Sequence, residues 1–160
     1  MNEISAAYLW RQLEKAENIN LKRLKMWEYY YKEFLNLANK GFIELLIIPK
    51  GCKHNAHMFY IFYIKVKDLK TRTKLINFLK ENGILVVFHY IPLHSSPAGI
   101  KFGNFVGKDE FTTKESERLI RLPLYYSITK DEVEFAINKV KEFFNNKTKQ
   151  MKLKKVKDYF

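Results

Sequence analysis

The chain has 160 residues, of which 47% are hydrophobic and 16% aromatic. That is enough for one domain with a hydrophobic core, and it excludes a disordered polyelectrolyte. A net charge of +12 leaves a nucleic-acid-binding module as an alternative. The apolar runs are too short to cross a bilayer, and charges at Glu3 and Arg11 argue against a signal peptide, so we expect no membrane association.

The first forty residues contain no glycine or proline and carry apolar side chains at helical spacing. This pattern predicts a long helix over residues 1–40, with a kink or a change of facing partner at 18–20, where asparagines separate two apolar stripes. Fully helical, the segment would reach on the order of 50 Å at 1.5 Å per residue. A helix of that length exceeds what a small domain needs, so we expect it to lie against another domain.

The middle of the chain favours strands. Residues 43–48, 57–66 and 84–90 are rich in aromatic and β-branched side chains and predict three of them. Asp68 offers an N-cap for a helix between the second and third strands, and Gly83 a C-terminal stop for it.

The C-terminal part predicts a long loop at residues 93–109 and then two helices, over 112–122 and from 130 through 144. Two Thr-x-x-Glu capping boxes would open these helices, at the pairs Thr112–Glu115 and Thr129–Glu132. Six lysines against one acidic residue make residues 147–160 a basic tail that we expect to be flexible.

These elements predict an α+β fold, with a small sheet of about three strands and helices on one of its faces. We divide the chain into a long connecting helix at 1–40, a small α+β domain at 41–146 and the tail at 147–160. A lone cysteine, Cys52, excludes an internal disulfide and predicts a reducing, cytoplasmic location.

The candidate binding residues are histidines and their neighbours. His89, Tyr90 and His94 surround the end of the third predicted strand, where loops bind ligands. Structural histidines and a packed tyrosine are the alternative interpretation of these three residues. No spacing of cysteines, histidines and acids predicts a metal site, and no glycine-rich phosphate loop is present.

The second predicted strand contains a tandem triplet, Phe-Tyr-Ile at 59–61 and again at 62–64. Because side chains alternate between the two faces of a strand, an insertion of odd length moves every residue beyond it to the other face. The repeat therefore either disturbs the strand or is a coincidence in an aromatic-rich segment.

Several longer motifs resemble one family. In chain order they are MNEISAA at 1–7, NAHMFY at 55–60, HYIPLH at 89–94, TTKESER at 112–118 and RLPLY at 121–125. They resemble the C-terminal part of the DegT/DnrJ/EryC1/StrS aminotransferases, and the resemblance extends over residues 1 to about 144. It implies the small C-terminal domain of a fold-type I enzyme that uses pyridoxal 5′-phosphate (PLP), with the long helix as the connector from a large domain.

The resemblance also implies a reaction. Such enzymes transfer an amino group from glutamate to a keto group of a nucleotide sugar, here the C4 ketone of TDP-4-oxo-6-deoxyglucose. The product would serve cell-surface polysaccharide or lipopolysaccharide biosynthesis. The resemblance places His89, Tyr90 and His94 near the nucleotide-sugar pocket, with Asn55 and His57 as further candidates. We expect all five to bind and position substrate, and we expect no catalytic residue among them.

In this family the lysine that holds PLP, its aspartate partner and the phosphate-binding residues belong upstream of Met1. The chain is therefore expected to be a fragment that neither holds PLP nor transaminates by itself. It would work with a large-domain polypeptide or as a homodimer. The alternatives are a non-catalytic partner of a full-length aminotransferase and the nucleic-acid-binding module. The apolar stripe from Ala6 to Ala16 predicts oligomerisation or poor solubility.

Overall fold

The computed structural model describes residues 1–52, 54 and 62–157, and the side chains through residue 146. Within that part the chain forms α-helices, one 3₁₀ helix and a three-stranded sheet. In order, the elements are α1 (Glu3–Leu13), α2 (Ala16–Asn39), β1 (Phe62–Lys65), α3 (Leu69–Glu81), β2 (Val87–Phe88), the 3₁₀ helix (Leu93–Ser95), α4 (Pro97–Phe102), α5 (Thr112–Arg118), β3 (Leu119–Leu122) and α6 (Lys130–Lys157).

The first forty residues form two helices, so the prediction of one helix kinked at 18–20 is corrected. The break lies between α1 and α2, because the Lys15 N–H donates to the Gln12 carbonyl (3.1 Å) in a turn tighter than an α-helix. Residues 18–20 lie inside α2. Helix α2 buries an apolar stripe against the domain, whereas α1 buries no residue at all.

The sheet is antiparallel with strand order β1-β3-β2. The prediction of a helix over residues 112–122 is wrong at its C-terminal end, where the central strand begins. The helix ends at Arg118, and the chain becomes extended at Leu119 (φ −85°, ψ 132°). The reason is non-local: β3 pairs along its whole length with β1, for example Ile120 with Ile64. The predicted Thr112–Glu115 capping box does not form, and Asp109 accepts the bond from the Thr113 N–H instead.

The other predicted strands are shorter than expected. Residues 43–48 contribute only a bridge between Glu44 and Lys65, with N–H to carbonyl distances of 2.8 and 3.0 Å. Of the predicted strand 84–90 only Val87 and Phe88 pair, and of 57–66 the described strand is β1. The predicted loop 93–109 contains the 3₁₀ helix and α4.

The predicted helix ends of α3 and α6 are confirmed. Asp68 accepts the Thr71 N–H at 2.7 Å at the start of α3, and Gly83 ends that helix at φ +76°, a conformation that glycine adopts without strain. At α6 the Thr129 hydroxyl accepts the Glu132 N–H (3.2 Å) while the Glu132 carboxylate accepts the Thr129 N–H (2.8 Å). Helix α6 then continues to Lys157, past residue 146, where the sequence predicted a tail.

One core joins the sheet to α2, α3 and α6. The α+β class and the small three-stranded sheet are as predicted. The largest fully buried side chains are Tyr30, Phe34, Phe62, Phe144, Ile64, Leu75, Leu79, Ile120, Leu124, Ile137, Val66 and Val86. Within the described part of the chain, no helix combines the length and the hydrophobicity needed to cross a membrane.

Candidate functional site

Two of the predicted binding residues, His89 and Tyr90, directly follow β2. Both are exposed, and their rings meet edge to face with centroids 5.2 Å apart. The pairing of Val87 and Phe88 with β3 fixes the point at which this segment leaves the sheet. Two adjacent rings at the end of a strand can contact a sugar or a nucleobase, because aromatic faces stack on planar ligands.

His94 is held in a different way. Its Nε2 atom lies 2.9 Å from Asp109 Oδ2 and 3.2 Å from the Thr113 hydroxyl, and its ring packs on Phe105 with centroids 4.5 Å apart. The Thr113 hydroxyl and N–H, followed by the neighbouring His94, hold the pKa of Asp109 below its usual range. His94 therefore ties the 3₁₀ helix to the start of α5, and one of its nitrogens is already engaged.

An apolar pocket of about 510 Å³ opens beside His94. Leu93, Phe102 and Phe105 form much of its wall, and the main chain of α4 closes one side. Pockets of this size accommodate a small ligand. His94 lines the pocket, whereas His89 and Tyr90 do not, so the structure places the three predicted residues in two neighbouring positions.

A second apolar pocket, of about 620 Å³, lies between the loop after α3 and the start of α6. Leu85, Phe135 and Tyr125 line it together with the carboxylates of Asp131 and Glu132. Glu132 is engaged by its capping bonds and by the Tyr125 hydroxyl (3.0 Å), which together lower its pKa. None of the three described candidates, His89, Tyr90 and His94, lines this pocket.

Asn55, His57 and the first copy of the tandem triplet lie outside the described residues. Of the nearby histidines, His54 is described, and its ring packs 4.2 Å from that of Trp27. Sequence reasoning missed Asp109, Thr113 and Phe105 as partners of His94. The aspartate four residues before Thr113 was the available signal, because Asp accepts bonds at helix starts.

The described side chains contain no group of three or more His, Cys, Asp or Glu residues able to hold a metal ion. Neither apolar pocket is lined by a described lysine. Lys65 lies on the sheet, bonded to Glu115 (2.9 Å) and Glu44 (3.1 Å), and these carboxylates raise its pKa. A lysine nucleophile needs the opposite shift, towards the neutral amine.

Comparison with known proteins gives one consistent result. Residues 1–141 match the model of the DegT/DnrJ/EryC1/StrS aminotransferase family. The chain is 36% identical over 147 residues to the uncharacterized protein MJ1066 of Methanocaldococcus jannaschii, covering 89% of this chain and 36% of that protein. It is 27% identical over 135 residues to the 3-oxo-glucose-6-phosphate:glutamate aminotransferase of Bacillus subtilis, covering 82% of this chain and 29% of that enzyme.

Solved structures show the same fold. The aminotransferase TlmJ of Streptoalloteichus hindustanus superposes with a TM-score of 0.77 at 20% identity, covering 92% of this chain and 38% of that chain. PseC of Helicobacter pylori, an aminotransferase of pseudoaminic acid biosynthesis, superposes with a TM-score of 0.75 at 20% identity, covering 91% and 38%. The chain thus spans about a third of the length of the curated relatives it matches.

Proposed function

The chain belongs to the DegT/DnrJ/EryC1/StrS aminotransferase family, and from this premise we propose that it forms the small, substrate-binding domain of a PLP-dependent sugar aminotransferase. The observation that carries the proposal is the match itself. It extends over residues 1–141 but corresponds to only 36% of the relative from M. jannaschii. The remaining two thirds of such an enzyme would supply the large domain.

We propose that the substrate is a nucleotide sugar, TDP-4-oxo-6-deoxyglucose, and that glutamate donates the amine in the cytoplasm. Two relatives support the general chemistry, since one is a 3-oxo-glucose-6-phosphate:glutamate aminotransferase and another a spore coat polysaccharide biosynthesis protein. In this proposal His89 and Tyr90 contact the ligand directly, because both are exposed at the end of β2. His94 positions the neighbouring segment, and Asn55 and His57 are further contacts proposed from the sequence.

When bound, PLP supplies the electron sink for the transfer of the amino group. We propose that no lysine of this chain holds it, and two observations support this. Lys65, Lys139 and Lys141 are ion-paired with carboxylates at 2.7 to 3.1 Å, and no described lysine lines either apolar pocket. We therefore assign no step of the reaction to a lysine of this chain, and the amine that holds PLP would come from the large domain.

A second candidate function is a non-catalytic partner of a full-length aminotransferase. Helix α1 favours it, because Ile4, Tyr8 and Trp10 are all more than two-thirds exposed and offer an apolar contact surface. The nucleic-acid-binding alternative has less support. The aromatic residue at the start of β1, Phe62, is only 1% exposed and packs against α2, so it cannot form a stacking platform.

PLP attachment can be tested directly on the purified chain. The chain is incubated with PLP, reduced with borohydride and analysed by mass spectrometry, with urea-unfolded chain as the control. We expect low labelling scattered over many lysines, equal in folded and unfolded chain. One stoichiometric label on a single lysine of the folded chain would contradict our assignment of the PLP-binding amine to another domain.

Ligand binding tests the assigned positions. Equilibrium dialysis with thymidine diphosphate (TDP) is compared for the wild type, His89→Ala and Tyr90→Ala. Loss of a stacking ring is expected to raise the Kd about tenfold. Tyr126→Ala is the matched control, because Tyr126 is similarly exposed (48% against 43% for Tyr90) but lies just before α6. Equal effects of Tyr90→Ala and Tyr126→Ala would reject the assignment of Tyr90.

A further inference from the structure

The sheet has an outer face, opposite the core, whose side chains are half-buried or exposed. Residues paired across an antiparallel sheet share a face, and the register places Tyr63, Arg121 and Val87 in one row across the three strands. Their neighbours along β3, Ile120 and Leu122, are at most 2% exposed and point into the core. Arg121 therefore lies at the centre of the outer face, on the middle strand.

Arg121 is half-buried, and one of its side-chain nitrogens has no partner among the described residues. Its Nε atom is buried without a hydrogen-bond acceptor, and no carboxylate of the described residues lies within 4.0 Å of its guanidinium. Arg118, three residues earlier, is the opposite case. It donates to the Val66 carbonyl (2.8 Å), to Glu115 (3.1 Å) and to Glu44. A buried donor without an acceptor is costly, and with no described carboxylate near Arg121 this unmet Nε donor favours an anion as its partner.

The charges around Arg121 also favour an anion. Glu44 and Glu115 are the acids of the outer face, and Lys65 and Arg118 already pair with both. Arg121 adds a third cation to these two carboxylates, so one positive charge is left without a partner among the described residues. Burial raises the pKa of the neighbouring Tyr63 phenol, which stays a hydrogen-bond donor at neutral pH.

We propose that Arg121 binds the diphosphate of the nucleotide-sugar ligand, so that the outer face of the sheet is its diphosphate subsite. The planar guanidinium fork matches two phosphate oxygens, which a single ammonium does not. His89 lies two residues beyond Val87, about 7 Å along the strand at about 3.3 Å per residue. That span is short enough for one nucleotide sugar to contact both residues. The identity of the ligand rests on the proposed function, whereas the observation that Arg121 Nε has no described acceptor is independent of it.

The test uses two probes, inorganic pyrophosphate and TDP, with the purified chain at constant ionic strength. Binding is measured by the shift of the thermal unfolding midpoint and by calorimetry. Arg121→Met is expected to raise the Kd of both probes at least about tenfold, the loss of one charge-assisted bidentate contact. Arg121→Lys keeps the charge but not the guanidinium fork, so its Kd for both probes should lie between those of Arg121→Met and the wild type. Arg11→Met is the matched control, because Arg11 is exposed on α1 and pairs only with Glu14.

The unliganded variants supply a second readout. Arg121→Met is expected to unfold at the same or a higher urea concentration than the wild type, because it removes an unpaired charge and keeps an apolar stem of similar length. A lower midpoint would reveal a partner within the chain and overturn the proposal.

The remaining outcomes are distinct. If the binding of neither probe depends on Arg121, or if glutamate binds there more tightly than pyrophosphate, the assignment of the diphosphate subsite is wrong. If the binding of pyrophosphate depends on Arg121 but TDP binds no more tightly than pyrophosphate, the assignment of the diphosphate site is retained and the proposed nucleotide-sugar function is rejected.

Discussion

At the scale of single residues, Tyr30 shows how one buried hydroxyl joins a helix to the sheet. Its side chain is fully buried, its ring stacks on Phe62 with centroids 4.7 Å apart, and its hydroxyl donates to the Pro123 carbonyl just after β3 (3.1 Å). Burial raises the pKa of this phenol, which favours the protonated form that donates to Pro123.

Tyr30→Phe is expected to lower the free energy of unfolding by about 1 kcal/mol, because the ring packing remains while the Pro123 carbonyl loses its donor. Urea unfolding followed by fluorescence measures the change. Tyr126→Phe removes a hydroxyl at an exposed position and should have an effect near zero. Equal losses in the two variants would show that the bond to Pro123 contributes nothing.

At the scale of elements, a network of four charges holds the Glu44 segment against β1 and α5. Lys65 and Arg118 each contact both Glu44 and Glu115. The pKa of Glu115 is lowered chiefly by its bond to Lys65, and that of Glu44 chiefly by its bond to Arg118. The network replaces most of the backbone pairing predicted for residues 43–48.

Glu115→Gln is expected to destabilise the chain at pH 7 by about 1 kcal/mol or less, because the carboxylate is partly solvated. A carboxyl group whose pKa is lowered in the folded state stabilises the fold at pH values above its unfolded-state pKa, which is near 4.3 for glutamate. That stabilisation is lost as the pH falls through the folded-state pKa. The difference between variant and wild type should therefore shrink below about pH 4.3.

Chemical denaturation at a series of pH values measures this dependence. Glu28→Gln is the control, since Glu28 is exposed on α2 and makes no ion pair with the described residues. A stability difference for Glu115→Gln that stays constant from neutral to strongly acidic pH would contradict an electrostatic role.

At the scale of the whole molecule, α1 stands out because nothing in the described part of the chain buries it. It buries none of its residues, and Ile4 and Tyr8, one helical turn apart, are 83% and 70% exposed. Contiguous exposed apolar surface favours association with another surface in water.

Replacing Ile4 and Tyr8 by lysine is expected to raise the dissociation constant of self-association at least about tenfold. Analytical ultracentrifugation over a range of concentrations measures it. The control, Ser5→Lys with Gln12→Lys, adds the same charge to α1 at polar positions. If the control disperses the assembly equally well, net charge rather than the apolar face governs association.

Local chemistry was sufficient for both ends of α3, for the start of α6 and for the family. Asp68, Gly83 and the Thr129–Glu132 pair act within four residues of themselves, so their hydrogen bonds were predictable without knowing the fold. The motifs that resemble the aminotransferase family are contiguous segments, so they too were recognisable without knowing the fold. The family match over residues 1–141 confirms the resemblance.

The sheet and the partners of the site residues depended on contacts between distant segments. Leu119–Leu122 continues a helical pattern in sequence. Strand β1, more than fifty residues earlier, pairs with it through backbone hydrogen bonds, and the backbone groups of β1 would lose these partners if the segment stayed helical. Asp109 and Phe105 reach His94 only because the 3₁₀ helix and α4 fold back towards α5. The position of Arg121 belongs to the same class, because it follows from the register of three strands that Arg118 meets carboxylates of the described residues and Arg121 does not.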